Sequence, residues 1–175
     1  MNKKISGISG VYLAVDYHPN TDYILNRIAS DLNIIPDNGN SDDKEYKYHT
    51  TIIYSKTTKP EHLKFTTKLG TGIDEIFPNQ KRKPKIQVPI KIIGFGFFDT
   101  DKGRNFHVKV SSSFLTSEFN RAIKFGLPTD FPKYQPHITI KNNVPKNFTI
   151  PKEIEKKYIG TILYTNNEYI EALTK

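Results

Sequence analysis

The chain has 175 residues, a formal net charge of +8, 36% hydrophobic residues, and 10 Tyr and 11 Phe. That is enough apolar material for one packed domain, so disorder is not the starting assumption. It has no cysteine, which rules out disulfides and thiolate zinc sites and fits a reducing cytoplasm. The apolar run after Lys3 and Lys4 is only Val11–Val15, too short for a signal-peptide core or a membrane span, so a soluble cytoplasmic protein is expected.

In chain order, Gly10–Tyr17 (GVYLAVDY) alternates and predicts a strand. His18-Pro19-Asn20 reads as a turn. A helix should follow, with Ile24, Leu25, Ile28 and Leu32 on its apolar side and Thr21 or Asp22 as N-cap. Pro36–Glu45 is a polar, acidic loop and a candidate lid. Tyr46–Ser55 (YKYHTTIIYS) is β-branched and aromatic, hence a strand, and a helical stretch is expected over Pro60–Leu69. The basic run Lys81-Arg82-Lys83-Pro84-Lys85 reads as a solvated loop in preference to a nucleotide-binding rim.

Lys85–Asp99 is a long β-like run, and Pro89, Gly94 and Gly96 imply a bend or bulge within it. A turn at Asp99–Gly103 leads to a hairpin partner at Asn105–Ser111. Ser113–Phe125 predicts a second helix, with Phe114, Leu115, Phe119, Ala122 and Ile123 on its apolar side. Phe131–Ile140 carries two prolines and then a strand. The tail predicts a strand at Tyr158–Tyr164, a turn at Asn166-Asn167 and a last strand at Tyr169–Leu173. Strand, helix and His-containing strand thus occur once in each half, which suggests two α+β lobes whose sheets meet at a cleft.

Two tripeptides carry the chemistry: His49-Thr50-Thr51 and His137-Ile138-Thr139. On a strand, residues i and i+2 share a face, so each run presents an imidazole beside a hydroxyl. Histidine titrates near working pH and serves as base or acid. Two of them can take a proton from a nucleophile and give one to a leaving oxygen, while Thr51 and Thr139 bond the non-bridging oxygens of a phosphodiester. No His/carboxylate cluster with ligand spacing suggests a metal, and no cofactor is called for. His18, in a turn, and His62, on an exposed stretch, are set aside. So is His107, where Lys109 takes the place of the threonine: a surface strand face is preferred to the alternative, in which His107 lines the cleft and Lys109 contacts phosphate.

Together the tripeptides resemble the signature of the two-histidine (2H) phosphoesterase superfamily. The resemblance spans nearly the whole chain and implies a bilobal α+β fold, two antiparallel-sheet lobes flanked by helices around a central cleft, as a single domain over 1–175. More narrowly, YHTTIIYSK, QPHITI, GVYLAV and NEYIEAL resemble the phage-encoded enzymes that disarm CBASS immunity by cleaving cyclic oligonucleotide signals. The resemblance implies His49 and His137 as the acid–base pair, with Thr51 and Thr139 on phosphate. It makes Tyr12 a base-stacking residue and Glu168 an acid near the site, with Glu171 as its rival. The subgroup's pocket tryptophan is absent, since the chain has no Trp; Phe97 is its foremost substitute, with Phe95 and Phe98 as the others.

The expected activity is metal-independent hydrolysis of 3′,5′ bonds in a cyclic di- or trinucleotide, in the host cytoplasm if the chain is phage-encoded. The alternatives are a 2′,3′-cyclic phosphodiesterase acting on RNA ends, and a non-catalytic cyclic-nucleotide sponge. Oligomeric state, base preference and the assignment of acid and base are open at this level.

Overall fold

The computed structural model describes residues 7–37, 47–69, 87–101 and 103–174. Most of the candidate lid Pro36–Glu45, residue Tyr46 and the whole of Lys81–Lys85 lie outside the described residues. The elements are β1 (Ile8–Tyr17), α1 (Pro19–Asp31), β2 (His49–Ser55), a 3₁₀ turn (Pro60–Lys64), β3 (Pro89–Thr100), β4 (Gly103–Ser111), α2 (Ser113–Phe125), β5 (His137–Val144), α3 (Lys152–Tyr158) and β6 (Ile162–Thr174).

Local chemistry accounts for most of these bounds. α2 starts where Ser112 Oγ accepts from Leu115 N and stops where Gly126 adopts a φ of 108°. α1 begins earlier than expected: its N-cap is His18, whose Nδ1 accepts from Asn20 N at 3.1 Å, with Pro19 in the first turn. Thr21 and Asp22 therefore lie inside the helix. Over Pro60–Leu69 only the single 3₁₀ turn forms. β3 carries the expected irregularity, a register shift between Ile92 and Gly94 against β4.

The tail departs from expectation. Tyr158 ends a short helix instead of opening a strand, and β6 runs unbroken through Asn166-Asn167. The Asn pair is absorbed as a bulge: two β6 residues oppose Asp16, between the pairs Val15–Glu168 and Tyr17–Thr165, and Asn167 N donates to Asp16 Oδ1 at 2.8 Å. Energetics favour this outcome. Continuing the strand buries Leu163 and Ile170 on either side of the bulge, each worth about 1.5–3 kcal/mol, against a cost of about 1 kcal/mol for poor strand formers.

The strands form one antiparallel sheet in the order β2-β1-β6-β3-β4-β5. β6 belongs to both halves: its start pairs with β3 (Leu163 opposite Ile90), and the rest pairs with β1 (Ile170 opposite Leu13). Residues of all three helices, among them Leu25, Ile28, Leu115, Ala122 and Tyr158, join strand residues such as Leu13, Ile90, Val108 and Ile138 in one buried cluster. The fold is thus α+β, an antiparallel sheet flanked by helices. No helix among the described residues is long and apolar enough to cross a membrane.

The edge strands β2 and β5 end the sheet on opposite sides, yet they contact each other. The sheet is curled until its edges meet. The segment before β5 fastens the join: Asp130 N donates to Tyr54 O at 2.9 Å, and Asp130 Oδ2 accepts from Lys56 N at 3.0 Å. Asp130 Oδ1 accepts from Ser55 Oγ at 3.2 Å, and Tyr134 OH donates to Thr51 O at 3.0 Å.

Candidate active site

The two His-Thr runs occupy those meeting edges, each at the start of its strand. In β2, His49 and Thr51 are half-buried while Thr50 between them is fully buried. β5 repeats the pattern, with His137 and Thr139 half-buried and Ile138 fully buried. Strand alternation therefore sends imidazole and hydroxyl to one face and the intervening residue into the core.

The two imidazoles are held alike. His49 Nδ1 lies 2.9 Å from Lys47 O, and His137 Nδ1 lies 2.8 Å from Gln135 O. A carbonyl can only accept, so each Nδ1 carries the proton, and neutral imidazole then keeps its lone pair on Nε2. Burial lowers the His137 pKa from its ordinary value; the Gln135 carbonyl opposes this and His49 adds to it. That last effect places the two imidazoles within electrostatic reach of each other.

Tyr12 of β1 stands beside the first pair. Its hydroxyl is 3.2 Å from Thr51 Oγ1, its ring meets His49 edge-on at 6.1 Å, and it packs on Tyr54 and Tyr169. Asp16, two turns of the pleat further along β1, is directly opposite His49 in register.

His107 is not on a surface face. It is 2% exposed, pairs across the sheet with Thr139, and its ring centroid lies 5.0 Å from that of His137. Phe98 stacks on His107 at 4.1 Å and meets His137 edge-on at 4.8 Å. Burial, with help from His137 and Lys109, pushes the His107 pKa down to about 3, so it is neutral at working pH. Lys109, opposite His137 in register, crosses the same face: a Cβ built on Gly96 would lie 2.7 Å from Lys109 Cε and 2.9 Å from His107 Nε2.

Phe97 lies elsewhere. It packs on Phe106 and Phe148 with the Arg104 guanidinium 3.7 Å over its ring, whereas Phe98 is the aromatic at the histidines. The phase was readable in principle: Gly94, Gly96 and Phe98 alternate with Phe95 and Phe97, and glycines on one strand face mark a close approach. No comparable signal marks His107, because its neighbour Thr139 is brought there only by the β4–β5 register.

Glu168 turns into the packed interior, level with Thr50 across β1. It is fully buried, and Oε1 accepts from Lys68 N at 2.9 Å and Leu69 N at 3.1 Å. Burial and the adjoining Glu118 raise its pKa to about 9, so it holds a proton. Glu118 stays ionised because Arg121 binds both its oxygens, at 2.6 and 3.0 Å. As a carboxylate, Glu168 Oε2 has no hydrogen-bond partner; protonated, it becomes a donor facing an acceptor. Its rival Glu171 is exposed and pairs in register with Tyr12. Among the described residues no group of three or more His, Asp or Glu is arranged to hold a metal ion.

A family model described as "Anti-CBASS protein Acb1" matches residues 9–175. Two curated relatives bear the same description. One, from Salmonella phage S16, is 26% identical over 158 residues, 86% of each chain. The other, from Escherichia phage RB16, is 30% identical over 94 residues, 54% of this chain and 43% of the relative. Among solved structures, E. coli LigT complexed with 3′-AMP superposes with a TM-score of 0.48 at 12% identity, covering 95% of both chains.

Proposed function

The chain belongs to the Acb1 family of anti-CBASS proteins, and from that premise we propose that it is a phosphodiesterase that cleaves 3′,5′ bonds in cyclic di- or trinucleotides and so counters CBASS defence. The observation that carries this reading is the matched tethering of His49 Nδ1 to Lys47 O and His137 Nδ1 to Gln135 O, which in each neutral ring puts the lone pair on Nε2. A binding module has no need of two such groups. The net charge of +8 supports capture of a polyanionic ligand.

In the active form the pair holds one Nε2 proton. The neutral imidazole takes the proton of the attacking oxygen as that oxygen bonds to phosphorus. The imidazolium gives its proton to the 5′-oxygen as the P–O bond breaks. Thr51 and Thr139 hydroxyls bond the non-bridging oxygens, and Tyr12 stacks on a base beside Thr51. Attack by the 2′-hydroxyl gives a 2′,3′-cyclic phosphate intermediate, and attack by water bypasses it. No metal takes part in this scheme.

The test is product identification on a panel of cyclic di- and trinucleotides and an oligoribonucleotide ending in 2′,3′-cyclic phosphate, with chelator present. His49→Ala and His137→Ala are each expected to lower turnover by about 10²–10⁴-fold without loss of folding. Cleavage of the RNA end alone would point to the RNA-end reading, intact ligand held at stoichiometric protein to a sponge, and loss of turnover on chelation to a metal enzyme.

A further inference from the structure

The two motifs are built alike, and what breaks their equivalence is a third imidazole. We propose that His107 is a positioning residue which, with Phe98, makes His137 the general base of the pair and leaves His49 as the acid. The inference rests on the phosphodiesterase reading.

His137 sits against two rings, His107 at 5.0 Å and Phe98 at 4.8 Å, and those two stack on each other at 4.1 Å. This clamp fixes the plane of the His137 ring and removes water from one side of it. Gly96 lets the clamp close, since any side chain there would press on His107 Nε2. On the other strand, His49 meets the edge of Tyr12 at 6.1 Å, and the Tyr12 hydroxyl reaches Thr51.

Burial and the His49 charge both disfavour a proton on His137. From β4, His107 is neutral and adds no charge, and the Lys109 charge, directly opposite His137 in register, acts on His107. From β2, His49 opposes a second positive charge. Phe98 of β3 contributes an apolar face. The Gln135 carbonyl, which precedes β5, favours the imidazolium and is outweighed by burial. A histidine that resists protonation is neutral when its partner is charged, which is the division the reaction needs. His137 Nε2 then takes the nucleophile's proton as the new P–O bond forms. His49 Nε2–H supplies the proton to the departing 5′-oxygen, and nothing is oxidised or reduced.

Two measurements on wild type, His107→Ala and His107→Phe test this. One is the pH profile of kcat/KM on a cyclic dinucleotide. The other is NMR titration of the His49 and His137 ring nitrogens, which needs no turnover. In His107→Ala the acidic limb and the His137 midpoint should move up together toward about 6.5, with the alkaline limb unmoved. His107→Phe, which keeps an apolar ring, should return both toward wild type. An unmoved His137 midpoint would overturn the clamp, and movement of the alkaline limb would make His137 the acid. If His107→Ala does not fold, Phe98→Leu is read the same way, with the same upward movement expected. A wild-type protein that cleaves no phosphodiester would instead overturn the proposed function, with the NMR arm still deciding whether His107 controls His137.

Discussion

Gly96 shows how much a single position controls on the histidine face. An added Cβ would meet Lys109 Cε at 2.7 Å and His107 Nε2 at 2.9 Å. The lysine end is flexible and can move at little cost, but the His107 ring is buried between Phe98 and His137 and cannot. Gly96→Ala is therefore expected to lower kcat/KM by tenfold or about that, through displacement of His107, and Lys109→Ala in the same chain should not restore it. Recovery in the double variant would mean that the lysine is the contact that matters. At this scale the His-Thr pairs were legible because their chemistry is written in two residues of fixed spacing. Phe98 and His107 were not, because nothing in Phe97-Phe98 or in His107-Val108-Lys109 says which strand lies alongside.

Among the elements, α2 was readable to its ends, since a serine cap, an apolar stripe and a terminal glycine all agree. β6 was not. Asn166-Asn167 is a turn signal in isolation, and only the partners β1 and β3 make it a bulge inside a long strand. The same strand carries Glu168 into the packed interior, where it meets Glu118. Its folded-state pKa of about 9 lies above its value of about 4.5 in an unfolded chain. The stability it contributes is therefore complete below about pH 4.5 and is lost as pH rises toward 9. Glu168→Gln keeps an acceptor for the Lys68 and Leu69 amides and a donor toward Glu118, with no proton to lose. Its stability relative to wild type should rise between pH 5 and pH 8.5, with a slope of at most about 1.4 kcal/mol per pH unit, as read by urea unfolding at both values. A gap that does not change with pH would show Glu168 to be ionised in the folded state.

For the molecule as a whole, the decisive event is closure of the sheet. β2 and β5 are as far apart as the strand order allows, and the site exists because the curl brings them into contact. Asp130 and Tyr134 hold that seam, through Ser55, Lys56, Tyr54 and the Thr51 carbonyl. Asp130→Ala removes two of those bonds. It should cost about 1–3 kcal/mol and lower kcat/KM with all four His and Thr residues in place. Unfolding midpoints and turnover measured together check this. Unchanged turnover in a destabilised variant would show that the seam supports the fold without setting the site.

By itself the sequence determined the two His-Thr pairs and the strands that carry them, because a strand's two-residue repeat fixes which side chains share a face whatever lies next to it. It also determined the α+β class, through helix caps and alternating runs that are local properties. Only the tertiary structure decided that the two motifs face each other, that β6 serves both halves, that Phe98 and not Phe97 adjoins the histidines, and that His107 is buried against His137. Register and sheet curvature settle those matters, and both come from packing the whole chain at once: they balance burial on every strand, and no short segment contains that balance.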